Sequence, residues 1–323
     1  MQVSDQWLVC PQVARSLGGL EDELRRAVGL PDGLTAEVAV HLIARGGKRL
    51  RPALLLLAGQ FGSGEPERLT RAAVAMELLH VASLYHDDVM DRAATRRGAA
   101  SANSLWGNLL AASGGTLLFA RAIGLLASLG DEANRLASAA SVRLCTGQLQ
   151  EVENAYDVDI GEDDHLAILE RKTATLFELP CRLGALLAGA PDETAHVLAQ
   201  YARALGLAFQ LTDDALDLSG DESILGKPTL ADIREGVYSF PIIHALHRNG
   251  NGGLRSTLRK ARLNEAELHD VVASVRRSGA VEAARRRAGE FARDAQQSLK
   301  ALADTPARES LHRLADFAIS RSH

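Results

Sequence analysis

Two aspartate clusters of one pattern punctuate this 323-residue chain: Asp87, Asp88 and Asp91 in DDVMD, and Asp213, Asp214 and Asp217 in DDALD. Carboxylates gathered at one place repel each other and resist desolvation, so a fold keeps them only where cations neutralise them. Hard, oxygen-seeking Mg²⁺ suits such a set, and Mg²⁺ held by a few carboxylates usually completes its shell with phosphate and water. The pattern points to a phosphorylated substrate held between two acidic helices. A solvated acidic helix end is the plainer reading of one cluster alone. Two copies, each after a predominantly apolar run (81–85 and 205–212), speak against it.

Other polar residues fall into register with these clusters. On a helix over 69–91, His80, Asp87 and Asp91 lie within about 40° of one another, so one edge is reserved for ligands. Gln210, Asp213, Asp214 and Asp217 form a stripe at i, i+3, i+4 and i+7. In GGKRLRP (46–52), Lys48 and Arg51 are spaced to converge on one anion from a helix start, with Pro52 tolerated in the first turn. Arg96 and Arg97 follow the first cluster closely, and as adjacent side chains they point apart, toward two different phosphates. Lys172 and Thr173 open an apolar helix. Lys227 follows the second cluster.

The elements that must carry these residues are helices. Helical periodicity runs from end to end with no convincing strand alternation, and loops are expected at 61–66, 157–164, 190–193, 219–229 and 248–253. With 46% hydrophobic but only 4% aromatic residues, the chain favours helix over sheet and has ample core for one large all-α domain. A formal charge of −5 gives no reason to expect nucleic acid. Three cysteines (Cys10, Cys145, Cys181) without metal spacing exclude a disulfide framework and fit a reducing cytoplasm. The N-terminus does not read as a signal peptide. The apolar stretch 105–129 contains Arg121, which is costly in mid-membrane, so a buried core helix is expected rather than a membrane span. The region after 254 shows no evident chemistry.

The order of these motifs is informative. GGKRLRP, HVASLYHDDVMD, RRG, GQLQE (147–151), Lys172-Thr173-Ala174, FQLTDDALD, GKP and Asp232 resemble, in that order, the trans-prenyl diphosphate synthases; the ending LADFAISR looks like that family's last helix. The resemblance implies one all-α isoprenoid-synthase bundle of long helices around a deep central cavity, forming a single domain over 1–323, and a homodimer. It implies condensation of an allylic diphosphate (dimethylallyl, geranyl, farnesyl or geranylgeranyl) with isopentenyl diphosphate. Asp87, Asp88, Asp91, Asp213, Asp214 and Asp217 would hold three Mg²⁺. Arg96, Lys172 and Lys227 would neutralise the leaving diphosphate, and Thr173 and Gln210 would face the allylic cation. Lys48, Arg51, His80 and Arg97 would bind the diphosphate of isopentenyl diphosphate.

By the same resemblance, small Ala82 and Ser83 leave the cavity open, with Met76 and Phe119 as deeper floors. A product of at least four isoprene units, and more specifically six to ten, is expected. Departures from the family pattern are Gly115 where an Asp is usual, Ser239 for Thr, and the placing of Gln148 and Glu151. Two alternatives remain open: a non-catalytic or regulatory subunit of a heteromeric prenyl synthase, and a class I terpene cyclase.

Overall fold

The computed structural model describes residues 6–219, 227–248, 252–260 and 262–321; for Lys227, Pro228, Thr229 and Ala231 it describes the backbone alone. Sixteen α-helices are seen among the described residues. They begin with α1 (Pro11–Gly18), α2 (Leu20–Val28), α3 (Leu34–Ala44), α4 (Leu50–Ala58), α5 (Pro66–Met90), α6 (Ala102–Ala127), α7 (Asp131–Glu153) and α8 (Glu162–Leu169). There follow α9 (Thr175–Leu187), α10 (Asp192–Asp217), α11 (Lys227–Arg234), α12 (Phe240–His247), α13 (Gly252–Leu258), α14 (Glu265–Arg277), α15 (Ala280–Ser298) and α16 (Pro306–Ser320). The all-α expectation holds. One small addition is an antiparallel hairpin, β1 (Thr95–Arg96) with β2 (Ala99–Ala100). Two-residue strands are too short to leave an alternating pattern. At its turn Arg97 and Gly98 both have positive φ, 53° and 72°, as a tight hairpin turn of this length requires.

Chain contacts divide the molecule into two compact units. The first comprises Met1–Ala140, Leu176–Gln200 and Leu299–Arg313. Its central pair is α5 and α6. Helix α5 starts with Pro66 in the first turn, where no N–H partner is lost, and then runs free of Gly and Pro to Met90. Leu42, Leu54, Leu55, Leu57, Leu78, Tyr85 and Leu118 are wholly buried here. Pro52 indeed sits in the first turn of α4.

Stretch 105–129 differs from the expected core helix. Only one face of α6 is buried, through Ala111, Gly114, Gly115, Leu118, Ala122 and Leu126, whereas Leu105 is 50% and Leu109 81% exposed. Helices α5 and α3 cover one side of α6, so a helix apolar all round keeps apolar surface outside. By length and composition it is also the one described helix that could cross a membrane.

The second unit comprises Ser141–Thr175, Tyr201–Ser298 and Leu314–His323. Its core joins Leu207, Leu211 and Ala215 of α10, and Leu218 just after it, to Ile242 and Ile243 of α12 and to Val271, Val275, Ala284 and Ala288 of α14 and α15. Asn264 and Glu267 start α14 with a reciprocal capping box. Lys172 and Thr173 lie not in an ordinary helix start but in a π-helical turn, Glu170–Ala174, joining α8 to α9. Such turns carry strain and gather at functional sites.

His165 on α8 is buried, its Nε2 lacks a hydrogen-bond partner, and burial pushes its pKa down to about 4. A histidine kept neutral in the folded state and ordinary in the unfolded one costs stability as pH falls below about 6.5, because only the unfolded chain then takes up the proton. Between pH 7.5 and 5 this one group should remove about 2 kcal/mol. Urea unfolding at both pH values should show that much less acid loss for His165→Leu than for the natural chain; parallel losses would exclude the assignment.

Candidate active site

The first acidic cluster sits at the C-terminal end of α5, where the helix dipole is itself negative, so the electrostatic strain is doubled. Asp91 caps the helix through its backbone N–H to the Asp87 carbonyl, 2.8 Å. Asp88 is fully buried; its Oδ1 accepts Arg96 Nε at 2.7 Å and its Oδ2 has no hydrogen-bond partner. Burial raises the Asp88 pKa despite Arg96. The hairpin turn sends the two arginines apart, as expected for adjacent side chains. Arg97 turns back, donating to the carbonyls of Leu42, at 2.7 Å, and Gly46.

The 46–52 motif is built around Arg97. Arg49, itself in the left-handed region at φ 47°, donates to both oxygens of Glu21 at 2.8 and 2.9 Å and forms an ion pair with Glu77. Burial works against its charge, but those carboxylates outweigh it and hold the Arg49 pKa above normal. Arg51, on the first turn of α4, lies over the Phe177 ring at 5.1 Å, and its Nε is buried without a partner. Its pKa is pushed down to about 10, chiefly by burial. His80 is half-buried, with its Nδ1 enclosed and unpartnered, and is held neutral by desolvation first and then by the surrounding arginines. Lys48 is solvent-exposed in the loop before α4. Arg51, His80 and Arg97 thus come together in one electrostatic group, and Arg49 and Glu77, which sequence reasoning did not single out, belong to the same group.

The second cluster has its own partners. Asp214 is buried; its Oδ1 accepts Gln210 Nε2 at 2.9 Å and its Oδ2 accepts the first free N–H of α12, at Phe240, 3.2 Å away. Thr173 Oγ1 lies 3.2 Å from Gln210 Oε1, so Thr173, Gln210 and Asp214 form one hydrogen-bonded chain. Burial, then the neighbouring aspartates, pushes Asp214 up to about 7. Asp217 is pushed up to about 6 by burial and by Asp213, against the pull of Arg321. Lys172 is ion-paired with Glu151 of the GQLQE motif. Gly147 explains that motif's first residue: a Cβ there would stand 2.5 Å from the Lys172 backbone nitrogen, so only glycine lets α7 touch the π-helical turn. The side chain of Lys227 lies outside the described residues.

The C-terminal region reaches the second cluster through Arg321. Arg321 pairs with Asp213 at 2.7 Å, lies over the Phe209 ring at 3.5 Å and donates to the Phe209 carbonyl. Spacing along the chain gives no hint of this, because the partners are brought together only by the fold.

These acidic groups fit cations. One buried Asp88 oxygen lacks a donor, and Asp214 and Asp217 cannot keep full charge with the protein partners they have. Among the described residues no three Asp, Glu, His or Cys side chains form a cage by themselves.

Gly115, where an aspartate was expected, is a site of close approach. A Cβ there would stand 2.8 Å from His86 Nε2 and 2.9 Å from Tyr85 Cβ, so the helix contact takes the space a carboxylate would need. Of the four chain-length candidates, Ala82 and Met76 are buried, whereas Phe119 and Ser83 are half-buried. Met76, His80, Ser83 and Asp87 share one edge of α5; Ala82 does not.

A family profile described as Polyprenyl synthetase matches residues 33–275. The chain belongs to the polyprenyl synthetase family. It is 38% identical over 269 residues to heptaprenyl diphosphate synthase component 2 of Geobacillus stearothermophilus, covering 82% of this chain and 83% of that one. It is 35% identical to nonaprenyl diphosphate synthase of Mycobacterium tuberculosis over 96% of this chain and 92% of the relative. Among solved structures, the polyprenyl synthase of Caulobacter crescentus, complexed with calcium and isoprenyl diphosphate, superposes with TM-score 0.92 at 32% identity, covering 99% and 98% of the two chains. The polyprenyl synthetase is therefore a prenyltransferase of the trans-prenyl diphosphate synthase type.

Replacing Arg321 with Gln should leave Asp213 without its ion pair and cost about 1–2 kcal/mol, the pair being partly solvated. Added Mg²⁺ should restore more stability to this variant than to the natural chain. Equal Mg²⁺ responses in paired urea melts would count against a cation at Asp213.

Proposed function

We propose that this polyprenyl synthetase elongates an allylic diphosphate with isopentenyl diphosphate, releasing diphosphate. The observation that carries the reading is the Thr173–Gln210–Asp214 chain, which ties two weak dipoles suited to a carbocation to a cluster short of positive charge. Asp87, Asp88, Asp91, Asp213, Asp214 and Asp217 would hold Mg²⁺, three ions in all, which when bound supplies the charge that lets a diphosphate depart. Arg96, Lys172 and Lys227 meet the charge developing on that diphosphate. The oxygens of Thr173 and Gln210 face the allylic cation. Lys48, Arg51, His80 and Arg97 hold the diphosphate of isopentenyl diphosphate while its double bond attacks. The proton lost from the new product goes to the departed diphosphate, so no side chain acts as a strong base.

The chain is read as a single polyprenyl synthetase domain because the family match runs unbroken through segments of both units. Exposed Leu105, Leu109 and Leu110 on α6 support a homodimer that covers them. Three cysteines without disulfides support a cytoplasmic setting. Chain length is assigned to six to ten isoprene units, with four as the lower bound. A relative named as component 2 of a heptaprenyl diphosphate synthase favours a second reading, in which this chain works only with a partner subunit.

Purified chain supplied with Mg²⁺, isopentenyl diphosphate and farnesyl or geranylgeranyl diphosphate should release pyrophosphate unaided. Folded protein that releases none supports the subunit reading, and cyclised hydrocarbon products would make it a terpene cyclase.

Product length offers a sharper check. Ser83 lies on the Asp87 edge with its hydroxyl donating to the His80 carbonyl at 2.8 Å, whereas Ala82 is enclosed. Ser83→Phe should shorten the product with the first condensation retained. Ala82→Phe should instead destabilise the fold by about 1–3 kcal/mol through overpacking. Chromatography of dephosphorylated products, beside thermal melts, separates the two effects; unchanged lengths in Ser83→Phe would remove that residue from the length-setting surface.

A further inference from the structure

Between Arg71 and Asp87, Glu77 is the one acidic side chain, and it stands in an otherwise apolar stretch of α5. It is only 2% exposed. A carboxylate so placed survives only with strong partners, and it has them: Arg49 pairs with its Oε1, and Arg97 Nη2 stands 3.6 Å from the same oxygen. Arg51 also lies within its field. Arg49 does not depend on it, since Glu21 already takes two of its donors and the Ile43 carbonyl a third at 3.0 Å. Arg51 and Arg97 are the groups whose charge burial opposes and Glu77 supports, Arg97 from 3.6 Å. These two, with His80 one turn further along α5, are assigned above to the isopentenyl diphosphate pocket.

Charge balance gives the same answer. Three guanidiniums, of Arg49, Arg51 and Arg97, face two carboxylates, of Glu21 and Glu77, leaving one net positive charge. Without Glu77 the buried guanidiniums would repel one another and spread before any substrate arrived. The buried Nε of Arg51 and Nδ1 of His80, both unpartnered, are what an anion finds when the group is held still.

We propose that Glu77 is the positioning residue of the isopentenyl diphosphate pocket, a buried counter-charge that fixes Arg51 and Arg97 in their substrate-ready places. It touches no substrate and acts through the arginines. The inference rests on the pocket assignment under Proposed function.

Glu77→Gln keeps the shape and removes the charge. It should raise KM for isopentenyl diphosphate about tenfold while KM for the allylic diphosphate stays within about twofold and kcat within about threefold. Glu77→Asp, which keeps the charge, should recover part of the loss. Should Glu77→Gln fold poorly, the double variant Arg49→Gln/Glu77→Gln keeps the local net charge and should show the same selective rise. Folded protein with unchanged KM for isopentenyl diphosphate overturns the proposal. So does a proportional fall in all rates that tracks the folded fraction, or failure of both variants to fold, either of which would make Glu77 a purely structural residue. Arg51→Gln separates the two levels of inference. If it raises KM for isopentenyl diphosphate and Glu77→Gln does not, only the positioning role falls; if it raises KM for the allylic substrate instead, the pocket assignment falls with it.

Discussion

Like charges out of water are the constraint that the rest of this molecule answers. In the first unit it is solved with protein partners on the basic side: Glu21 and Glu77 thread between Arg49, Arg51 and Arg97 and keep three guanidiniums at close quarters. On the acidic side the solution is partial. Arg96 meets one oxygen of Asp88, and Arg321 meets Asp213, but Asp214 and Asp217 retain carboxyl groups that hold their protons to near neutrality. A basic set left with net positive charge suits an anion that arrives from solution, and acidic sets short of partners suit cations that do the same. The packing around these groups keeps the charges from relaxing apart.

That packing depends on backbones coming close. Gly147 lets α7 rest on the π-helical turn carrying Lys172 and Thr173, and Gly115 lets α6 rest on His86 and Tyr85, next to Asp87. In both places a side chain would push a helix off the segment that bears the chemistry. The π turn belongs to the same logic, since the local change in helical winding accompanies the Thr173 contact with Gln210. Helix ends contribute as well. The N-terminus of α12 offers a free N–H to Asp214, while both acidic clusters occupy the last turns of their helices, where the dipole gives them no relief.

Much of this was legible in the sequence because helical periodicity is a local property. The Asp87 edge of α5 and the Gln210–Asp214 stripe follow from 3.6 residues per turn, and Pro52 in a first turn follows from its missing N–H. The divergence of Arg96 and Arg97 followed from adjacency alone. Motif order carried the family, which the comparisons bear out. Where reasoning from the chain fell short, the missing information was of another kind. A two-residue strand leaves no pattern, a π turn looks like any helix start, and α6 is apolar on all sides although only one side is covered.

The sequence by itself determined the helices, the charged groups they carry and the chemistry those groups can perform, because each depends on residue type and short-range spacing. Only the tertiary structure decided which charges are paired. Glu77 with Arg49 and Arg97, Glu151 with Lys172, and Arg321 with Asp213 join residues far apart in the chain. Coulomb energy depends on distance in space and on burial, and neither can be read from positions along the chain.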